Sequence, residues 1–272
     1  MKENYFDVSG RVVIVTGGLG QLGRTYSLAL LDQGAKVAVL DNMIDEGRVQ
    51  SGFGGRATDN NVMFLEADVT DRASLEAALG QVVERWGAPF GLVNNAALDS
   101  PPNAPAEENG PFETYPESSF DRVMEVNVKG VFLCCQVFGA AMAETRRGSI
   151  VNIASTYGLV SPDQSIYDYR RQGGDSFYKP VAYSVSKSSL LNLTRYLATY
   201  WAEKNVRVNT LTLAGVFNNQ DEQFLENYTK RVPLGRMARE DEYRGAVIFL
   251  MSDASSYMTG SNMVIDGGWT AW

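Results

Sequence analysis

The sequence contains no histidine in 272 residues. Without an imidazole, the chain cannot carry a Ser-His-Asp triad, a Cys-His nucleophile or a histidine-ligated zinc ion. Any proton transfer at neutral pH must therefore use a carboxylate, a tyrosine, a lysine or water. We expect no metal site in this protein.

Cysteine and positive charge are also scarce. The two cysteines, Cys134 and Cys135, are adjacent, which argues against a disulfide framework and fits a reducing compartment. The chain has 24 lysines and arginines against 32 aspartates and glutamates, and this acidic balance argues against nucleic-acid binding. No run approaches 18 apolar residues, and the N-terminal segment lacks the apolar core of a signal peptide. We therefore expect a cytoplasmic protein with no membrane span.

Short segments rich in β-branched residues are typical of buried strands. They are residues 12–16, 36–41, 62–67, 91–94, 149–154, 206–212 and 263–266. Helical spacing of apolar residues separates them, as in 22–31 and 74–86. Strands that are apolar on both faces and alternate with helices indicate a parallel sheet covered by helices. The sequence predicts a single doubly wound α/β domain over residues 1–272, with the proline-rich stretch 100–116 as a surface loop.

Two segments interrupt this alternation, at about 161–180 and 214–239. Both begin near the carboxyl end of a predicted strand, where ligands of such sheets bind. They mix polar and aromatic residues instead of following a helical period. We expect the two insertions to form the walls of a substrate pocket.

A glycine-rich loop follows the first predicted strand directly. Gly17, Gly20 and Gly23 are spaced three residues apart, and a predicted helix follows. Glycine lets a diphosphate approach backbone N–H groups at a helix N-terminus, where the helix dipole favours anions. We therefore predict that Gly17, Gly20, Gln21, Leu22 and Gly23 bind a cofactor, although glycines also serve ordinary tight turns.

Asp41 ends the next predicted strand, 18 residues beyond Gly23. This spacing is typical of an acid that binds the ribose 2′-hydroxyl of a dinucleotide. No arginine or lysine lies in the glycine loop or next to Asp41, so a 2′-phosphate would meet repulsion. The pattern favours NAD over NADP; the alternative is that Asp41 caps a turn.

Tyr183 and Lys187 lie four residues apart in a segment with helical patterning, which places phenol and ammonium on one face. A free tyrosine has a pKa of about 10, and a neighbouring ammonium lowers it towards the range of a base at neutral pH. Ser155 follows the fifth predicted strand, where its hydroxyl can donate to a carbonyl or alkoxide oxygen. These three residues form a candidate acid–base site.

The order of these motifs resembles the short-chain dehydrogenase/reductase family, from about Gly10 to Gly268. The residues that carry the resemblance are the glycine loop, Asn94-Asn95-Ala96-Ala97, Asn127, Ser155, and Tyr183 with Lys187. The resemblance implies a Rossmann-type sheet and hydride transfer at nicotinamide. It makes Tyr183 the acid/base and Ser155 the holder of the substrate oxygen. Lys187 would lower the pKa of Tyr183 and bind the nicotinamide ribose, and Asn127 would position a water. The remaining cofactor contacts that it implies are Asp68, Val69, Asn94, Ala96 and the Val216 backbone.

Three features depart from the family's common pattern. Gln21 stands where single-domain members have glycine, so this glycine spacing resembles the sugar-nucleotide-modifying branch. Leu213-Ala214 replaces a common Pro-Gly pair. Ser155 and Tyr183 lie 28 residues apart because the 161–180 segment is inserted between them.

The 161–180 insertion favours a polar substrate. It carries Arg170 and Arg171, which can hold a carboxylate or sulfonate. With the glycine spacing, it resembles members that modify sugars and nonulosonic acids. We expect NAD-dependent hydride transfer to or from a secondary alcohol of a sugar or sugar acid, with Ser155, Tyr183 and the two arginines as substrate contacts. The alternatives are a solvated or subunit-contact role for the arginines, a 3-oxoacyl-type reductase, and a non-catalytic cofactor-binding homologue.

The resemblance also implies a homo-oligomer, either a dimer or a tetramer. The sequence ends with two tryptophans, Trp269 and Trp272. Tryptophan is enriched at interfaces. The C-terminal segment therefore packs either on a neighbouring subunit or on its own chain.

Overall fold

Seven parallel strands form one sheet in the computed structural model, which describes residues 4–99 and 106–272. The bounds of the strands are β1 Val12–Thr16, β2 Lys36–Asp41, β3 Val62–Glu66, β4 Gly91–Asn94, β5 Gly148–Ser155, β6 Val206–Leu213 and β7 Asn262–Ile265. The central strands β1, β4 and β5 are buried throughout, as strands covered on both faces must be. The predicted fold class is confirmed, and each strand forms within one residue of its predicted ends.

The strand order is β3-β2-β1-β4-β5-β6-β7. The winding of the chain therefore reverses between β1 and β4, which pair with Val13 opposite Gly91. The connections that leave these two neighbouring strands diverge to opposite faces of the sheet. The resulting crevice at the carboxyl ends of β1 and β4 is where open α/β sheets bind their ligands.

Helices cover both faces of the sheet. Their bounds are α1 Gln21–Asp32, α2 Glu46–Phe53, α3 Arg72–Trp86, α4 Glu117–Met124, α5 Val131–Cys134, α6 Ala140–Glu144, α7 Asp168–Gln172, α8 Val181–Tyr200, α9 Glu222–Thr229 and α10 Arg244–Met251. α1 and α10 pack on one face, where Tyr26 and Leu250 are fully buried. α3, α8 and the segment from α4 to α6 pack on the other, where Leu75, Phe138 and Leu190 are fully buried.

Two π-helical turns join α4, α5 and α6 into one continuous helix, Glu117–Glu144. By length and composition alone, this helix is apolar enough to cross a membrane. However, 56% of its most apolar 18-residue window is buried inside the molecule, where Cys134, Cys135 and Met142 belong to the core. Its apolar composition is that of a helix packed on a buried sheet.

The 161–180 insertion is folded, although its sequence shows no helical period. It contains a 3₁₀ turn, Gln164–Tyr167, followed by α7. Residues 106–116 of the predicted surface loop contain two further 3₁₀ turns, Ala106–Asn109 and Phe112–Thr114. The rest of that loop, 100–105, lies outside the described residues.

Aromatic side chains from the insertion, α9 and the C-terminal segment form an aromatic cluster. Its buried members are Tyr157, Ile166, Tyr167, Phe177, Tyr228, Val232, Met237 and Trp269. The Trp269 ring lies 4.6 Å from that of Tyr228 and 6.2 Å from that of Tyr157, between ring centres. Trp269 therefore packs on its own chain, whereas Trp272 is exposed.

Candidate active site

The glycine loop joins β1 to α1. Gly17 has a φ of +60°, and a Cβ there would lie 2.8 Å from the Cα of Ala96. A Cβ on Gly23 would lie 2.2 Å from the carbonyl oxygen of Gly17. At Gly20, a Cβ would meet only that carbonyl oxygen, at 3.2 Å. The first and third glycines thus close the turn, while the second leaves the backbone open to a ligand.

The N-terminus of α1 is suited to an anion. α2, α3 and α9 each begin at an aspartate whose side chain accepts a hydrogen bond from the first turn: Asp45, Asp71 and Asp221. α1 begins at Gly20, with no side-chain cap and no acidic residue in its first turn. Its first-turn N–H groups and its dipole therefore face the crevice without a protein anion, as a diphosphate-binding helix requires.

A cavity of about 300 Å³ extends the crevice along the ends of β1 to β3, and we call it the adenosine cavity. It brings together predicted cofactor contacts from four segments: Gly17, Gly20, Asp41, Asp68, Val69 and Ala96. The carboxylate of Asp41 accepts a hydrogen bond from the Leu19 N–H at 3.0 Å. Asp41 is thereby fixed between the glycine loop and the cavity.

Arg48 also lines the adenosine cavity, which the sequence argument missed. Its NH1 lies 3.6 Å from Oδ1 of Asp41 and donates to the Met43 carbonyl at 3.2 Å. The sequence shows no basic residue next to Asp41 because Arg48 comes from α2, which folds back beside the end of β2. Its charge is paired with Asp41.

The Asn94-Asn95 pair is divided between the core and the crevice. The side chain of Asn94 is buried and donates to Oδ1 of Asn152 at 2.8 Å. Asn95 lines the crevice and donates to the carbonyls of Thr16 and Gly17, both at 3.1 Å. The side chain of Asn94 thus belongs to the core, and the predicted contact of this residue with the cofactor stays a prediction. Asn95 lies at the crevice instead, because successive extended residues point to opposite sides.

A second cavity, of about 650 Å³, lies at the carboxyl ends of β5 and β6, and we call it the Tyr183 cavity. It shares Asn95, Ala97 and Leu98 with the adenosine cavity, so the two cavities are adjacent. Predicted cofactor and catalytic residues that line it are Gln21, Leu22, Ser155, Tyr183, Lys187 and Val216. The two insertions contribute to its walls, as predicted.

Ser155, Tyr183 and Lys187 meet in this cavity. Ser155 ends β5, and its hydroxyl accepts from the Tyr157 N–H at 3.2 Å; Ser155 and Tyr183 both line the cavity. Nζ of Lys187 lies 5.8 Å from the centre of the Tyr183 ring and donates to the Ile153 carbonyl at 2.9 Å. The lysine is 4% exposed. A phenol, a hydroxyl and an ammonium therefore share one enclosed site.

The electrostatics of the site differ from the sequence-based expectation. Burial raises the pKa of Tyr183, the negative charge of Asp99 raises it further, and the Ser155 hydroxyl opposes both. Burial also lowers the pKa of Lys187 to about 8, which Asp99 partly opposes. The expected lowering of the Tyr183 pKa by Lys187 is thus outweighed in the protein alone, because the phenol is enclosed and the ammonium is held by the Ile153 carbonyl.

Asn127 does not occur among the described residues that line either cavity. It lies in a π-helical turn, Glu125–Gly130. Its side-chain amide forms hydrogen bonds with both the N–H and the carbonyl of Leu98. Oδ1 accepts from the Leu98 N–H at 2.7 Å, and Nδ2 donates to the Leu98 carbonyl at 2.9 Å and to Oγ of Ser186 at 3.0 Å. Its side chain thus fixes the loop that lines both cavities, and its water-positioning role stays a prediction.

Arg170 and Arg171 are likewise absent from the described lining of the Tyr183 cavity. Arg170 donates to Asp175 at 2.7 and 3.0 Å, and its guanidinium lies 4.0 Å from the ring centre of Phe177. Arg171 pairs with Asp168 and donates to two backbone carbonyls of the insertion. Both guanidinium groups hold the insertion together, and the predicted contact with a substrate anion stays a prediction.

Comparison with known proteins agrees with this site. Residues 20–270 match a family model described as "Enoyl-(Acyl carrier protein) reductase". An NAD-dependent glycerol dehydrogenase from Listeria innocua is 29% identical, over 97% of this chain and 96% of the relative. A D-threitol dehydrogenase from Mycolicibacterium smegmatis is 32% identical, over 97% and 95%. The narrower resemblance to enzymes of sugar and nonulosonic-acid modification is not confirmed by these matches.

The fold has close counterparts among solved structures. A short-chain dehydrogenase from Leptospira borgpetersenii with bound NAD⁺ superposes with a TM-score of 0.84 at 30% identity, and the match covers 99% of this chain and 97% of that one. The family model, the relatives and this structure agree over nearly the whole length. The chain belongs to the short-chain dehydrogenase/reductase family.

Proposed function

We propose that this protein is an NAD-dependent dehydrogenase that interconverts a secondary alcohol of a polyol and the corresponding ketone. The observation that carries the proposal is the meeting of Ser155, Tyr183 and Lys187 in a cavity that lies beside an uncapped glycine loop. Relatives named for glycerol and threitol support a polyol as the substrate class.

The chain fits NAD at the adenosine cavity. Gly20 leaves space at the N-terminus of α1 for a diphosphate. The carboxylate of Asp41 favours a cofactor with a free ribose diol, since a carboxylate accepts hydrogen bonds from hydroxyl groups and repels a phosphate. Arg48 is paired with this carboxylate, so its charge does not favour a 2′-phosphate.

Tyr183 is the acid/base of the proposed reaction. Because its pKa is raised, the phenol is protonated at neutral pH and can donate to a ketone oxygen that Ser155 also holds. In the direction of oxidation, the phenolate takes the proton of the substrate hydroxyl. Bound NAD supplies the hydride acceptor and, when oxidised, a positive charge that favours the phenolate. Lys187, charged below a pKa of about 8, acts in the same sense.

A 3-oxoacyl-type reductase fits the cavity less well. Ser155 and Tyr183, which carry hydroxyl groups, and the charged residues Asp99 and Lys179 line it. Such a wall suits a substrate with several hydroxyl groups better than an acyl chain. A non-catalytic homologue would not need the phenol, hydroxyl and ammonium to meet in one place.

Substitution of the phenol tests the proposal. Tyr183→Phe should lower kcat for polyol oxidation by about 10²- to 10⁴-fold, the range for losing a general acid–base group, while NADH binding by fluorescence stays close to wild type. Absorbance at 340 nm measures turnover. Tyr257→Phe is the matched control, since Tyr257 is fully exposed and outside the cavity. Equal turnover by wild type and Tyr183→Phe would contradict the proposal.

We also propose a cytoplasmic homo-oligomer, a dimer or a tetramer, folded as one domain over residues 1–272. Support for an interface comes from α8, whose outer face exposes Val185, Tyr196 and Tyr200, the last two with stacked rings 6.0 Å apart. Exposed aromatic clusters are typical of protein interfaces. Light scattering of Tyr196→Lys against wild type tests this proposal, since the charge should reduce the mass in solution to that of one chain.

A further inference from the structure

The Tyr183 cavity contains an ion pair that the proposed reaction does not use. Lys179 lies at the end of the 161–180 insertion, and its ammonium pairs with the carboxylate of Asp99. The lysine side chain is 9% exposed and the aspartate side chain 53%. Both residues line the cavity that holds Tyr183. The pair is therefore placed where a substrate must lie.

The backbone of Lys179 is held by a single amide side chain. Its N–H donates to Oε1 of Gln164 at 2.9 Å, and its carbonyl accepts from Nε2 of the same residue at 3.0 Å. Pro180 follows, and α8 begins at Val181. Lys179 is thus fixed at the wall of the cavity, one helical turn before Tyr183.

The ammonium of Lys179 lies closer to the ring centre of Tyr183 than the ammonium of Lys187 does. Its Nζ is 5.0 Å from the centre of the Tyr183 ring, against 5.8 Å for Nζ of Lys187. Asp99 adds a negative charge from the loop after β4 and raises the pKa of Tyr183. Lys179 and Asp99 therefore act on the phenol in opposite senses, and together they leave little net charge beside it.

Tyr183 faces charged and titratable groups from four elements. They are Lys187 on α8, Lys179 in the insertion, Asp99 after β4 and Tyr228 on α9. The hydroxyl of Tyr228 accepts from the Gly215 N–H at 2.7 Å, so it is already engaged. Of these groups, Asp99 and Lys179 are charged and line the cavity, and the proposed reaction assigns neither of them a role.

The enclosure of Lys179 indicates more than a surface contact. Removing an ammonium from water is unfavourable unless its partners compensate. The Lys230–Glu226 pair on α9, by contrast, keeps both side chains exposed. The ammonium of Lys179 is buried at the cavity wall beside Tyr183, where it can contact a bound substrate.

We propose that Lys179 and Asp99 bind the substrate hydroxyl groups next to the reacting carbon and so select polyols over simple secondary alcohols. This inference rests on the proposed function. The ammonium has three donors and the carboxylate accepts several hydrogen bonds, so the pair satisfies both the oxygen and the proton of a neighbouring hydroxyl. A simple alcohol leaves both charges without these bonds, and a site built to bind a hydroxyl discriminates against a ligand that lacks it.

Two substrates of equal carbon number test this role. Threitol has hydroxyl groups beside the reacting carbon and 2-butanol has none. Lys179→Met and Asp99→Asn should each raise the KM for threitol by about tenfold or more, the effect of losing a charged hydrogen bond. The KM values for NAD and for 2-butanol should change by less than about twofold. Lys230→Met, which removes an exposed lysine, is the control and should match wild type.

The pH profile separates this role from a structural one. Lys179→Met removes a positive charge near Tyr183 and keeps the negative charge of Asp99, so the acidic limb of kcat/KM for oxidation should move to higher pH in this variant. It should move to lower pH in Asp99→Asn, by about half a pH unit or more in either direction. The double variant should lie between the two. A structural role would move both single variants the same way or neither.

The outcomes distinguish the inference from the proposed function. A wild-type enzyme that oxidises threitol, together with a Lys179→Met variant that keeps the wild-type KM for threitol, overturns the inference alone. A wild-type enzyme that reduces no NAD with any secondary alcohol overturns both. Lys179→Arg is the conservative variant. It keeps the positive charge, so the acidic limb of its pH profile should stay at the wild-type position. Circular dichroism and NADH binding verify that each variant is folded.

Discussion

Tyr183 lies among two ammonium groups and a carboxylate in a chain that has no imidazole. Each of these neighbours comes from a different segment, and each changes the free energy of the phenolate. Burial alone would keep the phenol protonated at all moderate pH values. The protonation state of Tyr183 therefore depends on the charged groups in the cavity, and the pH dependence of activity reports on them.

Burial of Lys187 makes the stability of the protein depend on pH. Its pKa falls from 10.5 to about 8 on folding, so the buried charge destabilises the native state below pH 8, by about 3 kcal/mol. As pH rises from 8 towards 10.5, the native state loses this proton first and the penalty disappears. Lys187→Met removes the penalty at every pH. The free energy of unfolding of the variant minus that of wild type should therefore fall by about 2 kcal/mol between pH 7 and pH 10.

Urea unfolding at the two pH values measures this difference. Tyrosine ionisation affects both proteins alike and cancels in the subtraction. Lys230→Met is the control, because that side chain is exposed and its difference from wild type should not change with pH. A difference for Lys187→Met that stays constant from pH 7 to pH 10 would show that this lysine titrates normally in the folded protein.

Asp41 should determine the choice between NAD and NADP. In Asp41→Asn the negative charge is lost and Arg48, 3.6 Å away, no longer has a carboxylate partner. The ratio of kcat/KM for NAD to that for NADP should fall by about 10- to 100-fold, since a charged hydrogen bond to the ribose is lost and a cation becomes available to the 2′-phosphate. Steady-state kinetics with both cofactors measure the ratio. Asp32→Asn, at an exposed ion pair, should leave it unchanged.

At the scale of elements, the glycine loop brings backbone atoms so close together that no side chain has room at Gly23. Gly23→Ala places a Cβ 2.2 Å from the Gly17 carbonyl oxygen, so β1 and α1 must separate. We expect a loss of about 1–3 kcal/mol of stability and weaker NADH binding. Fluorescence titration and thermal unfolding measure the two effects.

The matched control for this substitution is Gly80→Ala in the middle of α3. A Cβ at Gly80 has no neighbour within 4 Å, and alanine favours the helix over glycine. This variant should gain about 0.5–1 kcal/mol of stability with unchanged NADH binding. If both variants behaved alike, close packing at the glycine loop would not be the reason for Gly23.

The sequence predicts the elements better than the contacts between them. All seven strands are predictable because their apolar, β-branched runs follow from burial on both faces. Asp41 and Ser155 are predictable because each ends such a strand. The sequence does not show which of Asn94 and Asn95 has its side chain at the crevice, since the end of β4 decides it.

Contacts between distant segments are beyond such a prediction. Lys179 and Asp99 are 80 residues apart in the chain, and no local pattern brings them together. Arg170 and Arg171 attract attention as a pair of cations, yet their partners are the acids of their own insertion. Spacing shows which residues share an element, whereas charge pairing requires the packed structure.

At the scale of the whole molecule, Trp269 joins the C-terminal segment to the wall of the Tyr183 cavity through Tyr157 and Tyr228. Trp269→Ala should cost about 3–5 kcal/mol of stability, the range for truncating a buried aromatic residue. It should also raise the KM for the polyol, because two tyrosines of the cavity lose their support. Trp272→Ala removes an exposed ring and should stay within about 0.5 kcal/mol of wild type.

Calorimetry and steady-state kinetics on the two tryptophan variants separate these effects. A Trp269→Ala protein with reduced stability and an unchanged KM would place the tryptophan outside the support of the substrate site. A large effect of Trp272→Ala would instead indicate that the exposed ring packs on another subunit.

The buried thiols of Cys134 and Cys135 can serve as a probe of local unfolding. Both thiols are free and enclosed in the core, and burial raises the pKa of each. A thiol reagent therefore reacts only when the helix Glu117–Glu144 separates from the sheet, and its rate reports the frequency of that event. Val126 of the same helix lines the adenosine cavity, so labelling with and without NADH would show whether an occupied nucleotide site slows this opening.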